Sequence, residues 1–219
     1  MSLIKSLSIR AKLLLLIGPL LAALVVTDVR LLQSMSARIT SFSHIEVLVT
    51  LTQLNSNLAH EMQKERGMSA GYLGSGGKSF AQAIIKQRQL VDTRRGDWEA
   101  YLREHSLVDY PGVQQEIAAA EERLERLTSV RKSVTDQTVE LGEVLKFYTG
   151  TIAHLLSVPA QAAHYSEDAK ATLSLSAYYS FLQGKERAGI ERAVLSNAFG
   201  ADQFNGALYP RFVRLVSEQ

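Results

Sequence analysis

The run from Ser166 to Phe199 constrains this chain most, because it reads as one long helix with charges on the face that ought to be core. Tyr178, Phe181, Ala188, Leu195 and Phe199 recur in alternating steps of three and four, the spacing of an amphipathic helix. Continued through its gaps, the same stripe passes through Lys185 and Arg192. This reading predicts two inward-pointing cations. A buried cation is costly unless an anion meets it. That anion is either a carboxylate from a neighbouring helix or a ligand.

A weaker echo lies earlier, at Gln63-Lys64-Glu65-Arg66-Gly67-Met68-Ser69-Ala70, which repeats the Lys-Glu-Arg-small pattern of Lys185-Glu186-Arg187-Ala188. The earlier helix carries Leu51, Leu54, Leu58 and Met62 on its stripe. The next turn puts Glu65 or Arg66 on or beside that stripe, and spacing alone does not choose between them. The small residues Gly67, Gly71 and Gly74 would admit a partner helix at close range. Two helices, each with an arginine at its inner edge, would make a pocket for a small anion. The competing structural reading pairs Arg66 with Glu61 or Glu65, puts Arg187 in a surface or intersubunit ion pair, and gives Lys185 and Arg192 a buried glutamate. Glu186 and Glu191 are expected to hold arginines in place.

These residues also carry a family resemblance. Gln63 through Leu73 resembles the first signature of the nitrate- and nitrite-sensing domain, an all-helical bacterial sensor module. Ala177-Tyr178 through Lys185-Glu186-Arg187-Ala188-Gly189-Ile190-Glu191-Arg192-Ala193-Val194-Leu195 is similar to its second signature. Gln87-Arg88 with Asp92-Thr93 is a looser match, the family more often having threonine before aspartate. The resemblance covers roughly Ile45 to Gln219. It implies a small oxyanion, nitrate or nitrite, bound between helices, in a chemotaxis receptor or a related signalling protein. It places Arg66, Arg187, Arg192 and Lys185 in the two signatures associated with the ligand. It also implies a final helix missing here, so that residues 33–219 form a sensor domain cut short at its C-terminal end.

The N-terminus adds a membrane expectation. Lys5, Arg10 and Lys12 precede an uncharged run from Leu13 to Thr27. That run is short of the roughly 20 residues that span a bilayer, although Arg10 and Lys12 can snorkel and the helix can continue through Leu32. A cleaved signal peptide lacks a clean Ala-x-Ala site, and a buried soluble helix is the third option. An uncleaved anchor over residues 13–32 is preferred. The basic residues before it place residues 1–12 in the cytoplasm and the sensor domain on the periplasmic side of a bacterial inner membrane.

Elsewhere the pattern is helical. Gly74 to Lys78 breaks the first long run, and Ser79 with Gln82 reads as a capping box for the next helix. Pro111 opens another at its first turn, and Val113 to Val158 reads as continuous, with Arg123 and Arg126 on a solvated face. Pro159 marks a bend. Ser166 with Glu167 and Asp168 starts the signature helix, Gly200-Ala201-Asp202 ends it, and a last helix spans Gly206 to Gln219. The expected fold is all-α, an N-terminal transmembrane helix followed by an antiparallel helical bundle.

Catalysis has no supported constellation. Gly67-Met68-Ser69-Ala70-Gly71 fits G-x-S-x-G, but that motif needs a strand and a strained elbow, and here it sits in a helix. Gly77-Lys78-Ser79 lacks the first glycine of a P-loop, which would fall at Tyr72. The five histidines lack metal spacing and cysteine is absent. No catalytic residue, metal or cofactor is expected. A net charge of +2 gives no sign of nucleic acid. The expected partners are nitrate or nitrite, the membrane, and a second copy of the chain joined through the Leu51, Leu54 and Leu58 stripe.

Overall fold

Apolar residues at helical spacing, only four prolines and the turn residues between runs give a chain of helices and, among the described residues, no strand. The structure, a computed structural model, describes residues 8–204, 206 and 208–217; the side chains of residues 11, 12, 14–16, 34 and 36–45 are not described. The helices are α1 (Ile9–Gly74), α2 (Ala83–Glu104), α3 (Pro111–Glu125), α4 (Leu127–Thr135), α5 (Leu141–Ala163), α6 (Ala169–Ala201) and α7 (Leu208–Ser217). Residues 1–44 and 45–219 are separate compact units.

In the first unit, Leu20, Leu21, Leu24, Val25 and Leu32 are exposed on α1. No helix of the described residues is long and apolar enough to cross a membrane, which overturns the expected transmembrane anchor at 13–32. The physical reason is length. The uncharged run is closed by Lys12 on one side and Asp28 on the other. Fifteen helical residues reach about 22 Å, against a hydrocarbon core of about 30 Å. The inner-membrane location, the periplasmic sensor and the membrane as a partner fall with the anchor. Lys5 and most of the expected cytoplasmic segment lie outside the described residues, as do Glu218 and Gln219.

The second unit is built from the C-terminal part of α1 and the other six helices. Its main core joins Leu51, Leu58 and Met62 of α1 to Trp98 of α2, Leu124 of α3, and Tyr148, Ile152 and Leu155 of α5. Trp98 is fully buried, and its indole N–H donates to Asn55 Oδ1 at 2.6 Å, the partner such a ring needs away from water. The helix α3 packs along α5, α5 along α6, and α6 along α7. Leu51 and Leu58 have no exposed surface. The stripe expected to join two copies is therefore spent inside one.

The helix ends follow local chemistry, with three departures from expectation. No capping box forms at Ser79; α2 begins at Ala83 with no side-chain cap, because the Ser79 N–H instead donates to Ser75 Oγ at 2.8 Å. Gly76 and Gly77, at φ +61° and +84°, carry the turn before it, a conformation glycine adopts without steric cost. The expected continuous helix from Val113 to Val158 is three helices, interrupted at Arg126 and again over residues 136–140, where Gln137 is left-handed. Pro159 sits inside α5, which continues to Ala163. The N-cap of the signature helix lies two residues beyond Ser166. The Asp168 carboxylate caps it by accepting from the N–H groups of Lys170 (2.7 Å) and Ala171 (3.1 Å), satisfying two orphan donors.

Candidate functional site

The inner face of α6 is Leu175, Leu182, Glu186, Gly189, Ala193, Val194 and Asn197. It is not the predicted stripe. Tyr178, Phe181 and Phe199 are exposed, Arg192 is exposed, and Lys185 is half-buried. The helix is thus turned so that small and polar residues face the bundle. Their size explains why. A β-carbon on Gly200 would lie 2.7 Å from the Gly71 carbonyl oxygen, and one on Gly74 would lie 2.3 Å from that of Asn197. Here α1 and α6 cross with almost no side chain between them, and Asn197 Nδ2 fastens the crossing by donating to the Ala70 carbonyl at 2.9 Å. Gly71 and Gly74 serve the close approach expected of them, whereas Gly67 has open space beside it.

One turn away from this crossing, Arg66 enters the core. Its side chain has no exposed surface. Arg66 Nη1 donates to Glu186 Oε1 at 2.5 Å and Nη2 donates to Glu186 Oε2 at 3.1 Å. This is a two-pronged fork of the kind guanidinium forms with planar anions. Gln63 Nε2 adds a third donor to Glu186 Oε2 at 2.7 Å, and Arg66 Nη1 also reaches Thr149 Oγ1 of α5 at 3.0 Å. Glu186 is itself buried, 6% exposed. Neither Glu61 nor Glu65, the partners weighed from the sequence, holds Arg66.

Gly189 makes the passage for this side chain. A β-carbon there would stand 2.9 Å from Arg66 Nη2, tighter than packing tolerates. Gly189→Ala is therefore expected to push the guanidinium off Glu186 and to cost about 1–3 kcal/mol of stability. Urea unfolding measures it. A variant as stable as the wild type would show that the fork yields without cost.

Glu65, the neighbour of Arg66 in sequence, leaves α1 about 100° away from it and is also fully buried. Arg131 of α4 grips it with Nε to Oε1 and Nη2 to Oε2, both at 2.8 Å, and Tyr148 of α5 donates its hydroxyl to Oε1 at 2.8 Å. Arg131 Nη1 continues to Asp92 of α2 at 2.6 Å. Burial, followed by the charge and hydrogen bond of Glu65, raises the Tyr148 phenol well above its ordinary value. Burial opposes the charge on Arg131, but Glu65 and then Asp92 outweigh it and raise its pKa. The sequence spacing left Glu65 and Arg66 as alternatives for the inner face; both are inner, toward different helices.

On the flank of the Arg66 fork the balance is positive. Burial lowers the Lys185 ammonium pKa, the charge on Arg192 lowers it further, and Glu186 opposes both. Burial, then Lys185 and Lys64, lowers His60. The four predicted site residues therefore fall apart into three settings. Arg66 is in the core, Lys185 and Arg192 form a cationic flank within electrostatic range of each other, and Arg187 is exposed. Glu186, expected to hold an arginine in place, does so, but the arginine is Arg66, a pairing the sequence did not single out. The signal for Glu186 was the seven-residue step from Leu175 to Leu182, continued by four to Glu186 and three to Gly189.

Two other clefts hold arginines. One of about 470 Å³ is lined by Arg95, Trp98, Glu99, Arg103 and Glu121, with cations and carboxylates interspersed. Another of about 410 Å³ includes Arg123, Arg126, Glu143 and Lys146. Arg123 is half-buried rather than a solvated side chain. It lies across Gly150 and donates to Thr151 Oγ1 and to the carbonyls of Lys146 and Phe147. It ties α3 to α5, and only Arg126 of the two expected surface arginines is exposed.

Comparisons with known proteins converge on this unit. Residues 57–219 match the sequence profile of the family described as "Nitrate and nitrite sensing". The "Nitrate regulatory protein" of Klebsiella oxytoca is 32% identical over 170 residues, covering 78% of this chain and 43% of that protein. A solved structure, "Structure of the NasR transcription antiterminator", aligns with a TM-score of 0.74 at 31% identity, covering 82% of this chain and 50% of its own. This chain thus spans half or less of the length of each relative.

Proposed function

Because this chain belongs to the nitrate- and nitrite-sensing family, we propose that its bundle is the anion-sensing part of a regulatory protein, with nitrate or nitrite held between α1 and α6. The observation that carries this reading is the Arg66 fork, buried at the junction of the two helices inside the matched segment. A forked planar guanidinium suits a planar oxyanion better than a point charge does. In this reading Arg66 makes the direct contact, Lys185 and Arg192 supply the flanking field that attracts the anion, and Arg187 takes no part. The role is regulatory rather than catalytic, in keeping with the printed names of the two relatives, a regulatory protein and a transcription antiterminator. Those relatives replace the transmembrane chemoreceptor as the setting for the domain, since no helix of the described residues can cross a membrane. Assembly as a homodimer belongs to the same proposal, through a surface other than the buried Leu51 and Leu58 stripe.

A second reading draws on one observation: Arg66 already has a partner within the chain. The bundle would then be a helical interaction module whose ion pairs are structural. A thermal-shift scan with the sodium salts of nitrate, nitrite, chloride and phosphate separates the two. A ligand that binds only the native state raises Tm with concentration, by about 2.7 kcal/mol of stabilisation at a hundred times Kd. The sensor reading expects the rise with nitrate or nitrite, none with chloride at equal ionic strength, and its loss in Arg66→Lys. Equal curves in all four salts leave the interaction module.

A further inference from the structure

We infer that Glu186 is the resting occupant of the oxyanion position, and that the ligand binds by taking the Arg66 fork from it. The inference rests on the sensor reading and adds how the site empties. Three donors converge on the Glu186 carboxylate: Arg66 Nη1, Arg66 Nη2 and Gln63 Nε2. A carboxylate is a planar group with two oxygens in the plane of the fork. A nitrate or nitrite ion also presents two oxygens in one plane, at a similar angle and without a tether to α6. The donor set is therefore already shaped for the ligand by an internal stand-in.

The cost of unbalanced buried charge favours replacement. Arg66 and Glu186 together are neutral and both are buried. Adding a second anion beside Glu186 would leave a net negative charge in the core, which is costly. The carboxylate therefore leaves when the ligand enters. Its destination is also present. Lys185, the preceding residue of α6, is held below its ordinary pKa by burial and by Arg192, and Glu186 already acts against that shift. Lys64 contributes to the same excess of positive charge. Release of Glu186 toward this flank relieves cation repulsion there while the ligand neutralises Arg66. Gly189 puts no β-carbon against the fork; one there would stand 2.9 Å from Arg66 Nη2 and 3.7 Å from Glu186 Oε2.

The test is calorimetric titration of nitrate and nitrite into the full chain as wild type, Glu186→Gln and Glu143→Gln, the last an exposed carboxylate of α5 as control. Glu186→Gln keeps an acceptor oxygen for Arg66 but removes the competing charge. It is expected to bind the anion at least tenfold more tightly than the wild type, with the control unchanged. It should also melt lower in chloride and regain that loss in nitrate, since the ligand supplies the missing counterion. Should the variant fail to fold in chloride, folding in nitrate of equal ionic strength supports the inference, and folding in neither overturns it. A double-mutant cycle separates transfer of the carboxylate from simple attraction. Lys185→Ala should weaken binding more in the wild type than in Glu186→Gln, where Lys185 only attracts the anion and has no carboxylate to receive. Equal weakening in both backgrounds overturns the transfer step. A wild type that responds to nitrate, with Glu186→Gln binding no more tightly, overturns this inference alone. Silence of both proteins toward both anions overturns the sensor reading and this inference together.

Discussion

Arg66→Ala is expected to lose about 3–5 kcal/mol of folding stability, a large part of the 5–15 kcal/mol typical of a domain. The loss comes from what remains. Glu186 would keep the Gln63 amide as a hydrogen-bond partner, at 6% exposure. A buried carboxylate there must stay charged without an adjoining counterion, take up a proton, or shift toward the Lys185 flank. Urea denaturation reads the difference as a lower midpoint at an unchanged slope. A loss under about 1 kcal/mol would mean that Glu186 reaches water or the Lys185 flank once Arg66 is gone. Replacing both partners by methionine should recover much of the stability, because the desolvation of two charges disappears along with their attraction. That double variant should show no response to nitrate. Stability regained together with sensing lost would identify the ion pair as a functional feature rather than a structural requirement.

Glu65→Ala is the second large effect, expected at about 3 kcal/mol. It takes the acceptor from the Tyr148 hydroxyl, which has no exposure, and from both Arg131 donors, Nε and Nη2, that grip it. The figure sits below that for Arg66 because Arg131 keeps Asp92 and is 12% exposed, so water can reach its head group. Asp92→Ala is the informative contrast. Asp92 holds the same arginine at 2.6 Å but is 57% exposed, and its removal should cost under about 1 kcal/mol. Equal losses for Glu65→Ala and Asp92→Ala would remove the argument that burial, not contact, sets the scale.

Helix order was legible because its signals are local. Gly76 and Gly77 at the first turn, Pro111 at a helix start and Asp202 after Ala201 each act through their own backbone preferences. The inner placement of Arg66 was legible as one of two options, since Leu58 and Met62 set the phase of α1. The inner face of α6 was not. Periodicity weighs large apolar side chains, and Phe181 and Phe199 outweigh Gly189 and Ala193 in any such count. The true contact is set by how closely two backbones approach at Gly71, Gly74 and Gly200 and by a glutamate that is apt for a core only because Arg66 comes to meet it. Both facts are tertiary, and neither is written in α6 alone. The membrane anchor failed for a different reason. Composition suggested it, but the distance between Lys12 and Asp28 forbade it.

The paired grips on Glu65 and Arg66 have a mechanical consequence. Consecutive residues of a helix point about 100° apart, and here each is clamped by a different set of helices. Within the bundle, α1 is therefore keyed like a shaft. Turning it about its own axis would shear both clamps at once, and sliding it by a residue would set either Arg66 against Arg131 or Glu65 against Glu186. The α6 side of the Arg66 clamp is a single carboxylate on a flexible stem, with a glycine three residues on. When that clamp opens, α1 stays indexed by Arg131 and Tyr148, and the turn of α6 around Glu186 is released from it while the Asn197 crossing still holds.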